Sequence, residues 1–290
     1  MLVFCAIAPH GGDIIPQIAD DPTVMEQTRT AMKELGRRFL AARPDTVVVA
    51  TPHGIIVEGA VTISATRHAA GILGDPNAKY VKAAFDVDLE WTRLLEEEMA
   101  FQSLPFLRLV GESKRQEAIL PLDWGALVPL WFTAHPMRPR PRVVILGPDR
   151  SLSREALVRC GVAIARASTA SGKRVAFIAS CDLGHAHDAS GPYGFDETAA
   201  EHDRAFCAAI VQDRLPDLLT WPDELTESAK VDSYWQTLML MGALGHTPMR
   251  GELLSYECPT YFGMAVASYE PVEGEADGPV PVTPFPSVTV

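Results

Sequence analysis

The stretch Leu2-Val3-Phe4-Cys5-Ala6-Ile7-Ala8 runs apolar without interruption and stops at once on Pro9-His10-Gly11-Gly12-Asp13. A strand with one wet face alternates polar and apolar residues, whereas an unbroken run marks a strand covered on both faces, as in a parallel sheet. The same pattern recurs. Thr46–Ala50 leads into Thr51-Pro52-His53-Gly54, residues 143–146 are closed by Gly147-Pro148, and residues 175–179 lead into Ser180-Cys181-Asp182-Leu183-Gly184-His185.

Helical patterns lie between these runs, over residues 24–42, which stop before Pro44, and over 153–167. Further helices are expected over Glu197–Val211 and 228–244, then two strands, 253–256 and 263–269, joined through Cys258-Pro259-Thr260. Val61–Ser64 reads as one more strand, a candidate for antiparallel pairing. Strands alternating with helices of this length predict an α/β fold, a central mainly parallel or mixed sheet with helices on both faces. We place one domain over residues 1–271 and read 272–290, rich in Pro, Gly and acid, as an extended or disordered tail. No repeat of 20 to 50 residues recurs.

Composition narrows the function. The 290 residues are 47% hydrophobic and 21% charged, as expected of a chain with a sizeable core. A net charge of −12 argues against nucleic acid and anionic membrane surfaces as partners, because both are held by neutralising phosphates. The apolar start has no basic residues ahead of it and ends by Ala8, too short for a signal segment or a membrane span, so a cytoplasmic protein is expected. Five cysteines without a CxxC pair read as reduced thiols.

In open α/β sheets ligands bind beyond the carboxyl ends of the strands. Histidine stands there three times, as His10, His53 and His185, the last within Asp182-Leu183-Gly184-His185-Ala186-His187-Asp188. Neutral imidazole is a common ligand for iron, zinc, copper and nickel, and a carboxylate beside two imidazoles leaves positions open on the metal. Asp182, Asp232 and Glu257 are the candidate acids, although Asp182 also suits a turn and Asp232 a helix start.

These three segments in this order resemble the signature segments of the class III extradiol aromatic ring-opening dioxygenases and the related Memo-like proteins, over about residues 1–269. The resemblance implies His10 and His53 as ligands of non-haem Fe(II), with zinc, manganese or copper as alternatives, and His185 as the catalytic acid/base. It nominates Asp232 as the acidic ligand, ahead of Leu240-Met241-Gly242-Ala243-Leu244. In Memo-like relatives the third ligand is a cysteine of the following strand region, which keeps Glu257 and Cys258 as candidates. The implied partners are a small catecholic or aminophenolic aromatic and O₂, and we expect a homo-oligomer, a dimer.

One departure matters. Ring-cleaving members carry Asp-His-Gly where this chain has Asp123-Trp124-Gly125, and tryptophan cannot transfer a proton at neutral pH. Either His187 or His202 supplies a second acid/base, or the substrate differs. We expect Trp124 to line the substrate site as a flat wall, with Asp182 beside it. The competing reading of the whole is a Memo-like metal-binding protein, with copper, in redox or regulatory work without ring cleavage. A hydrolase on the same scaffold is disfavoured, since no Gly-x-Ser-x-Gly elbow or P-loop is present.

Overall fold

The computed structural model describes residues 1–75, 77–111 and 118–272. The tail read over 272–290 therefore lies outside the described residues from 273 onward. Four of the strands form the parallel centre of an eight-stranded sheet: β1 (Leu2–Ala8), β2 (Thr46–Ala50), β8 (Arg142–Pro148) and β9 (Val175–Ser180), in the order β1-β9-β2-β8. Their residues are buried almost throughout, which is why they read as continuous apolar runs. The sheet is mixed at its margins. On one side β11 (Met264–Pro271) pairs antiparallel with β1, and β10 (Met249–Glu257) closes that edge. On the other, β3 (Val61–Ser64) pairs antiparallel with β8, and β6 (Phe106–Leu109) forms the outer strand.

Helices cover both faces. One core joins Cys5, Ile7, Val48 and Phe177 to α2 (Leu89–Phe101), α4 (Arg154–Ala170), α5 (Glu197–Val211) and α7 (Tyr234–His246). The opposite core joins Phe4, Val47 and Ile178 to α1 (Glu26–Ala42), α3 (Trp124–Phe132) and a small sheet of β4 (His68–Gly74), β5 (Tyr80–Asp86) and β7 (Ile119–Pro121). The structure is thus the expected α/β architecture. Among the described residues no helix is long and apolar enough to cross a membrane.

Register brings the strand ends level. Ala8 lies beside Ser180, and Ala50 lies beside both Ala179 and Leu146. His10, His53 and Asp182 each come two or three residues later, so they emerge together at the carboxyl edge of the sheet.

One expected helix divides. Residues 228–244 do not form a single helix: α6 (Asp223–Ser228) ends, and α7 begins only at Tyr234. Between them Lys230 takes a left-handed backbone, φ 57°, and the amide N–H groups of Lys230 and Val231 close back onto Glu227 and Thr226 carbonyls. The turn frees Asp232 to point at the strand ends, where its Oδ1 accepts the Asp182 N–H at 3.1 Å.

The height of α7, and hence of Asp232, is set by its contact with α4. A Cβ on Gly161 would lie 1.8 Å from Met239 O, and one on Gly242 would lie 1.9 Å from Val158 O. Backbone meets backbone there, so no side chain can yield. Gly161→Ala and Gly242→Ala should each cost at least about 1–3 kcal/mol, the range for overpacking a dense core. Gly245→Ala, with nothing within 4 Å of the added carbon, should be neutral or stabilising. Urea unfolding of the three variants checks this, and equal midpoints would contradict the packing.

Candidate metal centre

Side chains from four separate elements meet over the ends of β1, β9 and β2. His10 Nε2 lies 3.0 Å from His53 Nε2. Asp232 Oδ2, delivered by the turn before α7, lies 3.0 Å from His53 Nε2 and 3.4 Å from His10 Nε2. These three residues offer one donor atom each within 4.8 Å of one another, the one such group found among the described residues. Asp182 Oδ2 approaches His10 Nε2 from another side at 3.4 Å.

Hydrogen bonds around the group decide which nitrogen carries the proton. Ser180 Oγ donates its single hydrogen to Gly125 O at 2.5 Å, so at 2.9 Å it accepts from His10 Nδ1–H. Neutral His10 therefore turns a lone pair on Nε2 toward His53 and Asp232, the tautomer a metal ligand needs, with the outer partner that ligating histidines usually have. The His10 backbone N–H also donates to Asp182 Oδ1 at 2.9 Å. Asp182 thus ties β1 to β9 as well as facing the cavity. On the other side Thr51 Oγ1 donates to Asp123 Oδ1 at 2.6 Å, and the same oxygen caps α3 by accepting Ala126 N–H. That link holds Trp124, the first residue of α3, with its ring stacked 4.3 Å from the ring of His53.

The electrostatics are those of a site built for a cation. Burial alone would lower the pKa of His10, but the carboxylates of Asp182 and Asp232 outweigh it and hold it up at about 9. Burial would raise Asp232, yet the imidazoles of His10, His53 and His185 draw its carboxyl below the ordinary range. Asp182 goes the other way: burial, aided by the Asp232 charge, pushes it up. Two imidazole nitrogens 3.0 Å apart with a carboxylate against both repel unless a proton or a metal ion sits among them. Two imidazoles and one carboxylate with positions left over form the donor set typical of non-haem Fe(II) sites, so these residues fit such an ion.

His185 stands at the rim of this group, its Nε2 3.9 Å from Asp232 Oδ2. Its Nδ1–H donates to Leu183 O at 2.9 Å, so in the neutral ring the Nε2 lone pair is turned away from that carbonyl, and His185 lines the cavity. Phe262 stacks on its ring, with Tyr193 and Tyr261 around it.

Four of the expected site residues go elsewhere. His187 turns its Nε2 to Asp203 Oδ2 at 2.9 Å, away from the cavity. His202, the alternative, is fully buried on the same aspartate. Glu257 accepts the Thr28 N–H near the start of α1, and Cys258 Sγ meets Thr260 O. The reason is topological: β10 lies two strands beyond β1, roughly 10 Å away at the usual strand spacing.

Asp203 escaped the sequence reading. Buried, it accepts from Gly184 N–H, His187, His202 and Tyr256 OH, and so anchors the segment that carries Asp182 and His185 to α5 and β10. These bonds, from His187 and His202 first, outweigh burial and keep its carboxyl below the ordinary range. Ser180 was equally unmarked. Its one visible signal is a hydroxyl at the last position of an otherwise apolar strand.

Residues 4–267 match the family described as the catalytic LigB subunit of aromatic ring-opening dioxygenase. The chain belongs to that family. The chain is 23% identical over 266 residues to protein CA_C1420 of Clostridium acetobutylicum. That alignment takes in 91% of this chain and 56% of the other, so the chain spans about half the length of this curated relative. Its fold is also similar to the crystal structure of uncharacterized protein JW3007 from Escherichia coli K12. The TM-score is 0.58 at 17% identity, covering 92% of this chain and 99% of that one.

A pH dependence follows for the metal-free protein. Because the folded-state pKa of His10, about 9, lies above its ordinary 6.5, the stabilisation is complete below that lower value and is lost as pH rises through about 9. The loss should be on the order of 3 kcal/mol. Urea unfolding in chelator at about pH 6 and about pH 10 measures it, and His10→Asn should flatten the difference. An unchanged pH slope in that variant would contradict the assignment.

Proposed function

We propose that this chain is a non-haem Fe(II)-dependent extradiol-type dioxygenase that opens the ring of a small catecholic or aminophenolic aromatic with O₂. The observation that carries this reading is the convergence of His10, His53 and Asp232, with His185 Nε2 free as a base beside them. His10, His53 and Asp232 would hold the metal. When bound, the ion would supply Lewis-acid and redox chemistry for a reaction in which both atoms of dioxygen enter the opened product.

The protein's own side chains do the rest. His185 Nε2 takes a proton from a substrate hydroxyl, and its Nδ1–H bond to Leu183 O fixes the ring for that transfer. The proton then returns to an oxygen of the opened product, so the step consumes none. Trp124 is 47% exposed, so it lies at the cavity and not in the core. From its stack on His53 it offers a flat face to an aromatic ring. Asp182, buried and raised in pKa, borders the same space and holds a proton more readily than an ordinary aspartate.

The tryptophan also favours one alternative. A residue that cannot pass a proton at the second acid/base position suits a Memo-like protein holding copper or iron without ring cleavage. Anaerobic loading with Fe(II), addition of a catechol panel, then oxygen uptake and the absorbance of ring-opened product separate the two. Oxygen uptake coupled to product supports cleavage; stoichiometric metal without turnover on any catechol supports the alternative.

Two variants probe the roles. His185→Ala should keep metal and lose turnover, and loss of metal would make His185 a ligand instead. Trp124→Ala should raise KM for an aromatic substrate by the factor matching roughly 1–3 kcal/mol of lost apolar contact. An unchanged KM would dismiss the wall.

A further inference from the structure

Helix α1 and strand β10 run side by side in opposite directions, and a groove of about 940 Å³ opens between them. Two contacts fix its ends: Glu257 accepts the Thr28 N–H at 2.7 Å, and Glu252 accepts from Arg38 Nη1 at 2.7 Å. Glu252 and Glu257 stand an odd number of residues apart, which plain alternation would send to opposite faces of the strand. The register of β10 on β11 shifts between Leu253 and Ser255, so an extra residue there returns both glutamates to the α1 side, with Leu254 packed against the same core.

The strand wall is an open edge. β10 ends the eight-stranded sheet and has no strand on its far side among the described residues. An edge strand presents a row of backbone N–H and C=O groups with which another chain can pair. One carbonyl of β10 already takes an amide donor from the groove: Gln27 Nε2 reaches Tyr256 O at 3.3 Å, as a peptide N–H would. Ser255, buried on the groove wall, has an Oγ with no hydrogen-bond partner among the described residues, a cost that a bound polar group removes. The helix wall shows Gln27, Ala31, Glu34 and Arg38 at the spacing of one helical face. From Gln27 to Arg38 that face is roughly 16 Å long at ~1.5 Å per residue, and β10 covers about the same length from Glu252 to Glu257 at ~3.3 Å per residue. About five extended residues fill it.

Charge selects among the occupants. Four acids line the groove, Glu26 and Glu257 toward one end and Glu34 and Glu252 toward the other, against Arg38 alone, which Glu34 and Glu252 already hold. A second copy would bring its own Glu252 and Glu257 to the same edge, and the sequence after Val272 carries three acids and no base. Neither suits an acidic groove. A cationic strand does, because like charges directly opposite destabilise a strand pair and unlike charges favour it.

We propose that the groove between α1 and β10 binds an extended basic segment of a partner protein, which adds to the sheet as a ninth strand with basic side chains at its first and fifth positions and an apolar one at its third. Alternate residues of a strand share a face, so all three turn toward the groove. Such docking needs neither the metal nor ring cleavage.

The probe is a labelled nonapeptide, Ser-Thr-Lys-Thr-Val-Thr-Lys-Thr-Ser, added to the full chain at low salt and followed by anisotropy, with deuterium exchange to locate it. It should bind with Kd below about 1 mM and slow amide exchange over residues 250–257. The same peptide with Glu for both Lys should bind at least about tenfold more weakly, and one N-methylated at its three central residues should lose binding, because its backbone cannot donate to the edge. The double variant Glu26→Gln, Glu252→Gln, at two exposed positions, should weaken the lysine peptide at least about threefold, with metal uptake unchanged and circular dichroism confirming the fold. No binding of the lysine peptide, equal binding of the glutamate peptide, unchanged affinity in the double variant, or protection over residues 10–13 in place of β10 would overturn the proposal. A doubled mass without peptide, with residues 250–257 protected, would overturn it too and give the edge to a second copy.

Discussion

Asp232 keeps its charge at a strand end where only 5% of the residue reaches solvent. Removing a carboxylate from water costs several kcal/mol unless partners compensate, and the surrounding structure consists largely of such partners. Two imidazoles face one oxygen and a backbone N–H holds the other. The level strand ends bring the imidazoles there, and the glycine contact of α4 with α7 sets the height from which the aspartate descends. The fold and the site are therefore one problem in electrostatics: a parallel sheet converges polar side chains at a buried edge, and that edge favours a proton or a metal ion among them.

The wiring behind the donors divides the labour. Ser180 fixes the tautomer of His10, and the Thr51–Asp123 link holds the stack on His53. Asp203 steadies the segment that carries Asp182 and His185 without entering the cavity. His185 differs from His10 in one respect that matters for chemistry. Its outer nitrogen binds a backbone carbonyl and its inner one is in contact with the cavity, free to accept a proton. In the proposed function, one side of the site serves ligation and the other proton transfer.

The parallel strands were legible because burial on both faces leaves an unbroken apolar run, and the histidines stood out because each followed such a run. The acid was not legible from residue type. Asp182, Asp232 and Glu257 all sit near element ends, and the sheet order alone leaves β10 too far away. The turn at 229–233 was missed because the apolar pattern continues through Val231 and Tyr234; a left-handed lysine leaves no mark in sequence. The small sheet went unread because β4 is rich in Gly and Ala. The alternation of β5, Tyr80-Val81-Lys82-Ala83-Ala84-Phe85-Asp86, did carry the signal of a half-buried strand. His187 shows the limit of motif reasoning: two residues from His185, it faces the opposite way and serves a buried aspartate.

The most direct test of a cation-demanding strand edge is a crystal grown anaerobically with Fe(II), with anomalous scattering recorded at the iron edge. The account predicts one peak per chain, bonded to His10 Nε2, His53 Nε2 and Asp232 Oδ2. A peak ligated instead by Glu257 or Cys258, or no peak among those three residues at full iron loading, would contradict it.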